Sequence, residues 1–397
     1  MGQKRKIPVG VIFSTTGPYA EVSEAMLCGT LLAIAEVNAS SALDFELVAH
    51  VRNPAGRTQA YEDVARDLII NHRVSHIVGC YTSSSRKAVI PVVEKYDAIL
   101  WYPSHYEGFE GSSNVIYLGA SPNQHIVPLA HYMTKNFGRN VYLCGSDYIW
   151  PWESNRVMRE IVTDVQGSVL AERYVAVGCV DIVGLIEEIR DLKPDFIFNT
   201  LIGESSYAFL RAFHAAGLRR ASDGREIPVA SCTLSEAELK LIGGMAAAGH
   251  IVSSVYFQSI DTERNRQFVE LFRTKFGREK VTSADAEACY NSVHMLALAI
   301  SQAQSETTNS VLDAVTHISF DAPQGKVLID EDNNHCYLTP RIGVSMPDAS
   351  FKVIAAAPHP CKPDPFLASL KSSPFLMDEQ KSDIEAGRVK PRLRVVR

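Results

Sequence analysis

The sequence lacks the motifs that the common classes of enzyme and metal-binding protein require. It contains no GxxxxGKS/T phosphate-binding loop, no HExxH zinc motif and no GxSxG nucleophile motif. Residues 13–18 read FSTTGP and lack the GxGxxG pattern of a dinucleotide-binding turn. We therefore expect a protein that is not an enzyme and that needs no cofactor and no bound metal.

Paired cysteines and long apolar segments are also missing. Eight cysteines are present, but no two have the CxxC spacing of zinc and thioredoxin sites. Most lie in apolar segments, such as residues 78–80 and 142–144, which is typical of buried free thiols. No apolar run approaches the roughly 20 residues of a membrane span, and residues 1–17 lack the apolar core of an export signal. We expect a cytoplasmic location, or a periplasmic one if a signal peptide has been removed.

An excess of positive charge is absent as well. The 39 Lys and Arg residues and 45 Asp and Glu residues give a net charge of −6, which disfavours direct nucleic-acid binding. The length of 397 residues suggests two domains.

The sequence contains short apolar segments that alternate with segments whose apolar residues recur at helical spacing. Strands are predicted at 9–13, 45–51, 76–79 and 99–102, and a second series of strands and helices fills residues 120–250. This rhythm predicts an α/β fold with mainly parallel sheets flanked by helices. Two long helices, at 262–276 and 284–302, precede strand-like segments at 326–329, 341–344 and 352–355.

Polar loops follow several predicted strands, and in parallel α/β sheets such loops form the ligand-binding crevice. They carry tyrosines, serines and threonines, which offer neutral hydrogen-bonding groups beside aromatic walls. Arg86 lies near these loops, one turn into its helix. The inventory favours a small uncharged polar ligand, although each residue alone also fits a helix cap or a core-edge aromatic. Cys80 and His105 could form a nucleophile–base pair, an interpretation we disfavour because a cysteine at the end of a buried strand is usually inert.

A set of motifs occurs in colinear order over about residues 7–366, at 78–83 (VGCYTS), 86–89 (RKAV), 102–103 (YP), 106–110 (YEGFE), 257–261 (FQSID) and 320–325 (FDAPQG). Together these motifs resemble the amide- and urea-binding branch of the type I periplasmic-binding-protein fold. The resemblance implies a two-domain clamshell with three crossover segments. It divides the chain into a first lobe (1–120 and 256–325), a second lobe (121–255 and 326–355) and a C-terminal surface segment (356–397).

The resemblance also implies a site and a function. The pocket residues carried over from the family's amide sensor are Tyr81, Ser83, Tyr102, Ser104, Tyr148 and Thr233. In this comparison Ser83 and Ser104 bind the amide, the tyrosines enclose it, and Thr233 contributes from the second lobe. Ser104 replaces a threonine of that sensor, which admits a slightly larger ligand.

Two functions remain open on this basis. The first is a cytoplasmic sensor of short aliphatic amides, such as acetamide or butyramide, that sequesters an RNA-binding antitermination regulator and so controls amidase expression. The alternative is a urea or short-chain amide solute-binding protein of an ABC transporter. The unpaired cysteines and the absence of an export signal favour the sensor, and a homo-oligomer is compatible with either function.

Overall fold

The first lobe begins with a five-stranded parallel sheet. A computed structural model of the protein describes residues 4–220, 224, 226–368 and 370. The first elements are β1 (Arg5–Ile12), α1 (Ala20–Ala39), β2 (Phe45–Arg52), α2 (Thr58–His72), β3 (His76–Gly79), α3 (Ser83–Lys95), β4 (Ile99–Tyr102) and β5 (Val115–Tyr117). The strand order is β2-β1-β3-β4-β5, with every neighbouring pair parallel. Strands β3 and β4 are buried along their whole length, as expected for a sheet covered on both faces.

The second lobe repeats this construction. Its elements are α4 (Ile126–Asn136), β6 (Asn140–Ser146), α5 (Ile149–Asp164), β7 (Ser168–Val175), α6 (Val183–Leu192), β8 (Phe196–Thr200), α7 (Glu204–Ala215), β9 (Val229–Ser231), α8 (Glu236–Ile242) and β10 (Ile251–Ser254). Apolar side chains fill both faces of this sheet, with separate clusters under α6–α7 and under α4–α5.

The last part of the chain returns to both lobes. It forms α9 (Glu263–Phe276), α10 (Ala284–Ala303), α11 (Thr308–Val315), β11 (Ser319–Ala322), β12 (Gly325–Ile329), β13 (Cys336–Tyr337), β14 (Arg341–Ser345) and β15 (Phe351–Ala356). Helix α10 packs along α1, and β14 and β15 extend the second sheet to the order β15-β14-β10-β9-β8-β6-β7. The predicted α/β clamshell with parallel sheets flanked by helices is therefore confirmed.

A small antiparallel sheet of β11, β12 and β13 marks a difference from the predicted lobe boundary at residue 326. The side chains of Val327, Ile329 and Cys336 belong to the apolar core that contains α1 and α10. Residues 325–337 consequently pack with the first lobe, whereas the expectation assigned all of 326–355 to the second.

The C-terminal segment crosses the junction of the lobes. Leu338 and Cys361 form an antiparallel backbone bridge, the backbone N–H of Asp364 donates to Asn123 Oδ1 at 2.8 Å, and Phe109 N–H donates to Pro365 O at 2.9 Å. The remainder of the predicted surface segment, residues 371–397, lies outside the described residues. Among the helices in the described part of the chain, none is both long enough and apolar enough to cross a bilayer.

Candidate functional site

A cavity lies between the lobes, where the carboxyl ends of β4, β5, β9 and β10 meet the first turn of α10. This is the position at which α/β sheets bind ligands. Its lining comes from both lobes and from the crossover segments: Pro103, His105, Leu118, Gly119, Ala120, His125, Cys232, Thr233, Leu234, Ser235, Glu236, Ser253, Ser254, Val255, Tyr256, Phe257, Ala284, Asp285 and Ala288.

Two carboxyl groups, those of Asp285 and Glu236, line this cavity. Asp285 Oδ1 accepts a hydrogen bond from Ser104 Oγ at 3.2 Å, and Glu236 Oε1 accepts one from the backbone of Gln258 at 2.7 Å. Behind them, Glu238 forms a capping box with Ser235. Burial raises the pKa of Asp285 to about 6 and those of Glu236 and Glu238 to about 7.

Two histidines also line the cavity, beside a buried tryptophan. The ring centroids of His105 and Trp150 are 4.6 Å apart, and those of His105 and His125 are 5.9 Å apart. Burial lowers the pKa of His105 to about 3 and that of His125 to about 4, so both rings are neutral near pH 7. They therefore supply hydrogen-bonding nitrogens rather than positive charge.

Tyr81 and Tyr148 lie where the two lobes meet. The Tyr81 ring centroid is 5.4 Å from that of Tyr19 and 6.2 Å from that of His105. Burial, followed by the charges of Glu238 and Asp285, raises the pKa of Tyr81 well above its usual value. A tyrosine of the first lobe thus lies within electrostatic reach of a carboxyl from each lobe. Tyr148, at the start of α5, packs against the cores of both lobes.

Ser83 and Tyr102 belong to a buried network next to the cavity. Ser83 Oγ donates to Glu107 Oε2 at 2.6 Å, and the Tyr102 hydroxyl donates to the Tyr81 carbonyl at 2.9 Å. The fully buried Arg86 donates to Glu107 at 2.6 Å and to Glu110 at 2.7 Å. Two carboxylates therefore compensate the charge of Arg86.

The six residues predicted from the sequence lie at different positions relative to the cavity. Thr233 lines the cavity, Ser104 and Tyr81 contact residues that line it, and Tyr148 lies at the junction of the lobes. The hydroxyl groups of Ser83 and Tyr102 both donate their hydrogen bonds to other protein groups. A direct contact of these two residues with a ligand stays a prediction.

Sequence reasoning missed Asp285, Ser253 and Glu238 as site residues. Asp285 lies in the first turn of α10 and Ser253 within β10, so neither follows a parallel strand of its own lobe. Glu238 carried a local signal, the Ser-x-x-Glu spacing from Ser235, but this spacing predicts a helix cap rather than a cleft residue.

The lobes touch at the mouth of the cleft. Gly203, at the start of α7, has φ 55° and ψ −135°, and a Cβ at this position would overlap the carbonyl oxygen of Pro18 in the other lobe. The guanidinium carbon of Arg156 lies 4.6 Å from the ring centroid of Phe109, again across the lobes. These contacts describe a closed clamshell that encloses the cavity.

Such a closed two-lobed cleft is the architecture of a ligand-binding protein. The chain matches the family model described as a periplasmic binding protein domain over residues 7–372. It therefore belongs to the periplasmic binding protein family. The finer resemblance to the amide- and urea-binding branch stays a prediction.

Sequence relatives are distant. A Leu/Ile/Val-binding protein homolog 6 of Brucella abortus (strain 2308) is 22% identical over 333 residues, which cover 83% of this chain and 85% of that protein. A limonene hydroxylase of Geobacillus stearothermophilus is 30% identical over 128 residues, which are 32% of this chain and 23% of that protein. The chain therefore spans less than a quarter of the hydroxylase.

Solved structures share the fold at low sequence identity. An ABC-transporter solute-binding protein from R. palustris, in complex with 4-hydroxybenzoate, has a TM-score of 0.80 and 20% identity and covers 90% of this chain and 98% of its own. A branched-chain amino acid binding protein from Streptococcus pneumoniae, in complex with isoleucine, has a TM-score of 0.77 and is 18% identical. The match covers 90% of this chain and 100% of that protein.

Proposed function

We propose that the protein is the solute-binding component of an ABC-type uptake system in the periplasm. The observation that carries this proposal is the enclosed cavity to which both lobes contribute polar groups, Asp285 from the first and Thr233 from the second. The transporter components among its structural relatives support this choice over the regulatory sensor. The protein would act by binding and closing, without catalysis.

The ligand in this proposal is a small solute rich in N–H donors, with short amides and urea as its neutral members. Asp285 and Glu236 accept hydrogen bonds, which suits N–H groups and disfavours a ligand carboxylate. Ser104 and Thr233 supply hydroxyl groups, while Tyr81 and Tyr148 enclose the ligand between the lobes. Ser83 and Tyr102 hold the loops that carry these groups.

Closure follows from the difference in ligand affinity between two conformations. A ligand shifts the lobes only to the extent that it binds the closed state more tightly than the open one. Because the polar groups of both lobes meet only in the closed cleft, a small ligand gains its full set of hydrogen bonds there. The closed form would then be the one that a membrane permease recognises.

Isothermal titration with acetamide, butyramide and urea tests the proposal. We expect saturable binding at or below millimolar concentration, weakened at least about tenfold by Thr233→Val, which keeps the shape and removes the hydroxyl. Exposed Thr274→Val is the matched control. Absence of binding by every N–H-rich solute, charged or neutral, would refute the proposal.

One observation favours the cytoplasmic amide sensor as a second candidate. All eight cysteines lie in the described residues as free thiols, and Cys80, Cys144, Cys232, Cys289 and Cys336 are buried. Free thiols are typical of reducing compartments. Fractionation of the native host by osmotic shock separates the candidates: recovery in the periplasmic fraction supports transport. Recovery in the cytoplasm, together with amide-dependent release of an RNA-binding antitermination regulator, supports the sensor.

A further inference from the structure

Among the described residues, the carboxyl groups that line the cleft face no lysine or arginine in the cavity lining. In the part of the chain that the structure describes, the residues lining the cavity include Asp285 and Glu236 but neither lysine nor arginine. The fully buried Arg86 is held between Glu107 and Glu110, and Arg341, which reaches the lining residue Val255, donates to the backbone carbonyl groups of Val255, Thr339 and Gln324. His105 is neutral at physiological pH, so it does not balance Asp285 although its Nδ1 lies 3.9 Å from Asp285 Oδ1.

The position that a ligand anion would take is already occupied by the protein. Helix α10 is 20 residues long, and Ala284, Asp285 and Ala288 at its N-terminal end line the cavity. The N-terminal end of a helix is a position that attracts anions. Asp285 lies in this first turn and places the chain's own carboxyl group there. An anionic ligand would therefore meet a buried negative charge.

A hydroxyl group in the same cavity has no hydrogen-bond partner among the residues that the structure describes. Ser253 in β10 is fully buried and lines the cavity, and its Oγ makes no hydrogen bond to another described residue. A buried polar group without a partner is costly, and ligand donors regularly satisfy such groups. Ser253 thus offers a second hydrogen-bonding point besides Asp285.

Much of the remaining wall of the cavity is apolar. Leu118, Leu234, Val255, Phe257 and Ala288 contribute to its wall, as is usual for the apolar lining of a ligand site. The site therefore combines an acidic, hydrogen-bonding end with an apolar body.

We propose that the ligand of this cleft is an organic cation with several N–H donors, of the amidinium or guanidinium type, joined to an apolar group. This inference rests on the proposed function, because it takes the cleft as a binding site for N–H-rich solutes. The cationic end meets Asp285 and Glu236 and reaches Ser253, while the apolar group packs against Leu234 and Phe257.

Isosteric ligands that differ only in charge test this inference. Titrations with benzamidinium, benzamide and benzoate, and with acetamidinium, acetamide and acetate, compare cation, neutral molecule and anion at constant shape. We expect benzamidinium to bind at least about tenfold more tightly than benzamide, and benzoate to bind weakest. The variant Asp285→Asn should bring the two affinities within about threefold, because it keeps the acceptor for Ser104 and removes the charge.

A charge-matched control and a second variant make the outcome decisive. Asp313→Asn removes an exposed charge on α11 and should leave the preference unchanged. Ser253→Ala should weaken cation and neutral amide alike, whereas Asp285→Asn affects the cation alone. Equal or tighter binding of the neutral amides overturns the inference and leaves the proposed function standing. Tightest binding of the carboxylates overturns both. Binding by none of the six compounds overturns the inference, and if butyramide and urea fail to bind as well, it overturns the proposed function too.

Discussion

At the scale of single residues, Asp285 gives a pH-dependent contribution to stability. Burial raises its pKa from 3.8 to about 6, so the folded protein binds this proton more tightly than the unfolded chain. The stability from this residue is fully present below about pH 4 and is lost as the pH rises through about 6. At neutral pH the ligand-free protein therefore contains a buried carboxylate at an energetic cost.

The variant Asp285→Asn should remove this cost. We expect it to gain stability relative to the wild type by up to about 3 kcal/mol near pH 8, with the difference vanishing near pH 4. Urea unfolding at several pH values measures the difference, and Asp313→Asn serves as the exposed control. A stability difference independent of pH would contradict the assignment.

Residues of the site differed in how far the sequence could predict them. Tyr81, Ser104 and Thr233 lie in loops that follow predicted strands, which the rule that ligands bind beyond strand ends selected, and the family resemblance implied these three residues within the loops. Asp285 and Ser253 were missed because they enter the cleft only when the long-range packing of α10 and β14 brings them there. No local pattern carries that information.

At the scale of elements, Gly203 controls how closely α7 approaches the first lobe. Its φ of 55° favours glycine, and a side chain there would overlap Pro18 when the lobes are closed. We expect Gly203→Ala to weaken ligand binding at least about tenfold, because the closed state is obstructed while each lobe still folds. Titration and circular dichroism measure these two effects.

A helical glycine with open surroundings provides the control for this experiment. Gly184 lies in α6, and a methyl group on its Cα would meet no heavy atom within 4 Å beyond its own stretch of helix, so Gly184→Ala should leave binding unchanged. It should also raise stability by up to about 1 kcal/mol through helix propensity. Wild-type affinity in Gly203→Ala would show that closure does not depend on this contact.

Most elements were predictable because their apolar periods are strong. Strand β3 coincides with the predicted residues 76–79, and α9 and α10 begin within one residue of their predicted starts. The sequence did not predict the short strands β5 and β10 or the helix α11, because segments of three to eight residues show too little periodicity. The placement of β12 with the first lobe depends on Val327 and Ile329 packing into the α1–α10 core, which is a tertiary effect.

At the scale of the whole molecule, Arg341 connects the segments that join the lobes. Its guanidinium donates to the carbonyl groups of Val255, of Thr339 at 3.0 Å and of Gln324 at 2.8 Å. Gln324 in turn donates to Glu287 through its side chain at 2.9 Å. One side chain thus satisfies backbone groups of two crossovers and of the turn before β12.

Removal of this side chain should weaken the junction of the lobes. We expect Arg341→Met to lower the free energy of unfolding by about 2–4 kcal/mol, because several carbonyl groups and the buried Glu287 lose compensation. Chemical denaturation measures the loss, and the exposed Arg278→Met is the control with an expected effect below about 1 kcal/mol. If Arg341→Met leaves the free energy of unfolding unchanged, Arg341 does not stabilise the junction of the lobes.

The clamshell itself was predictable from alternating periods and motif order, whereas the charge of its ligand was not. That charge depends on the sum of groups from several distant segments, including Asp285, Glu236 and the neutral His105. If the cleft closes around a cation, the lobes should open in its absence, since the unpaired carboxyl groups then gain from hydration. Small-angle scattering should show a smaller radius of gyration with benzamidinium than without it.

The variant Gly203→Ala, in which closure is obstructed, shows whether ligand binding and closure of the lobes can be separated. With Gly203→Ala, saturating benzamidinium should leave the radius of gyration near its ligand-free value, because the Pro18 contact cannot form. With Asp285→Asn, the ligand-free protein should already be more compact, since the buried charge that favours hydration of the open cleft is gone. A wild-type protein whose radius of gyration is the same with and without ligand would contradict hinge closure, even if benzamidinium binds.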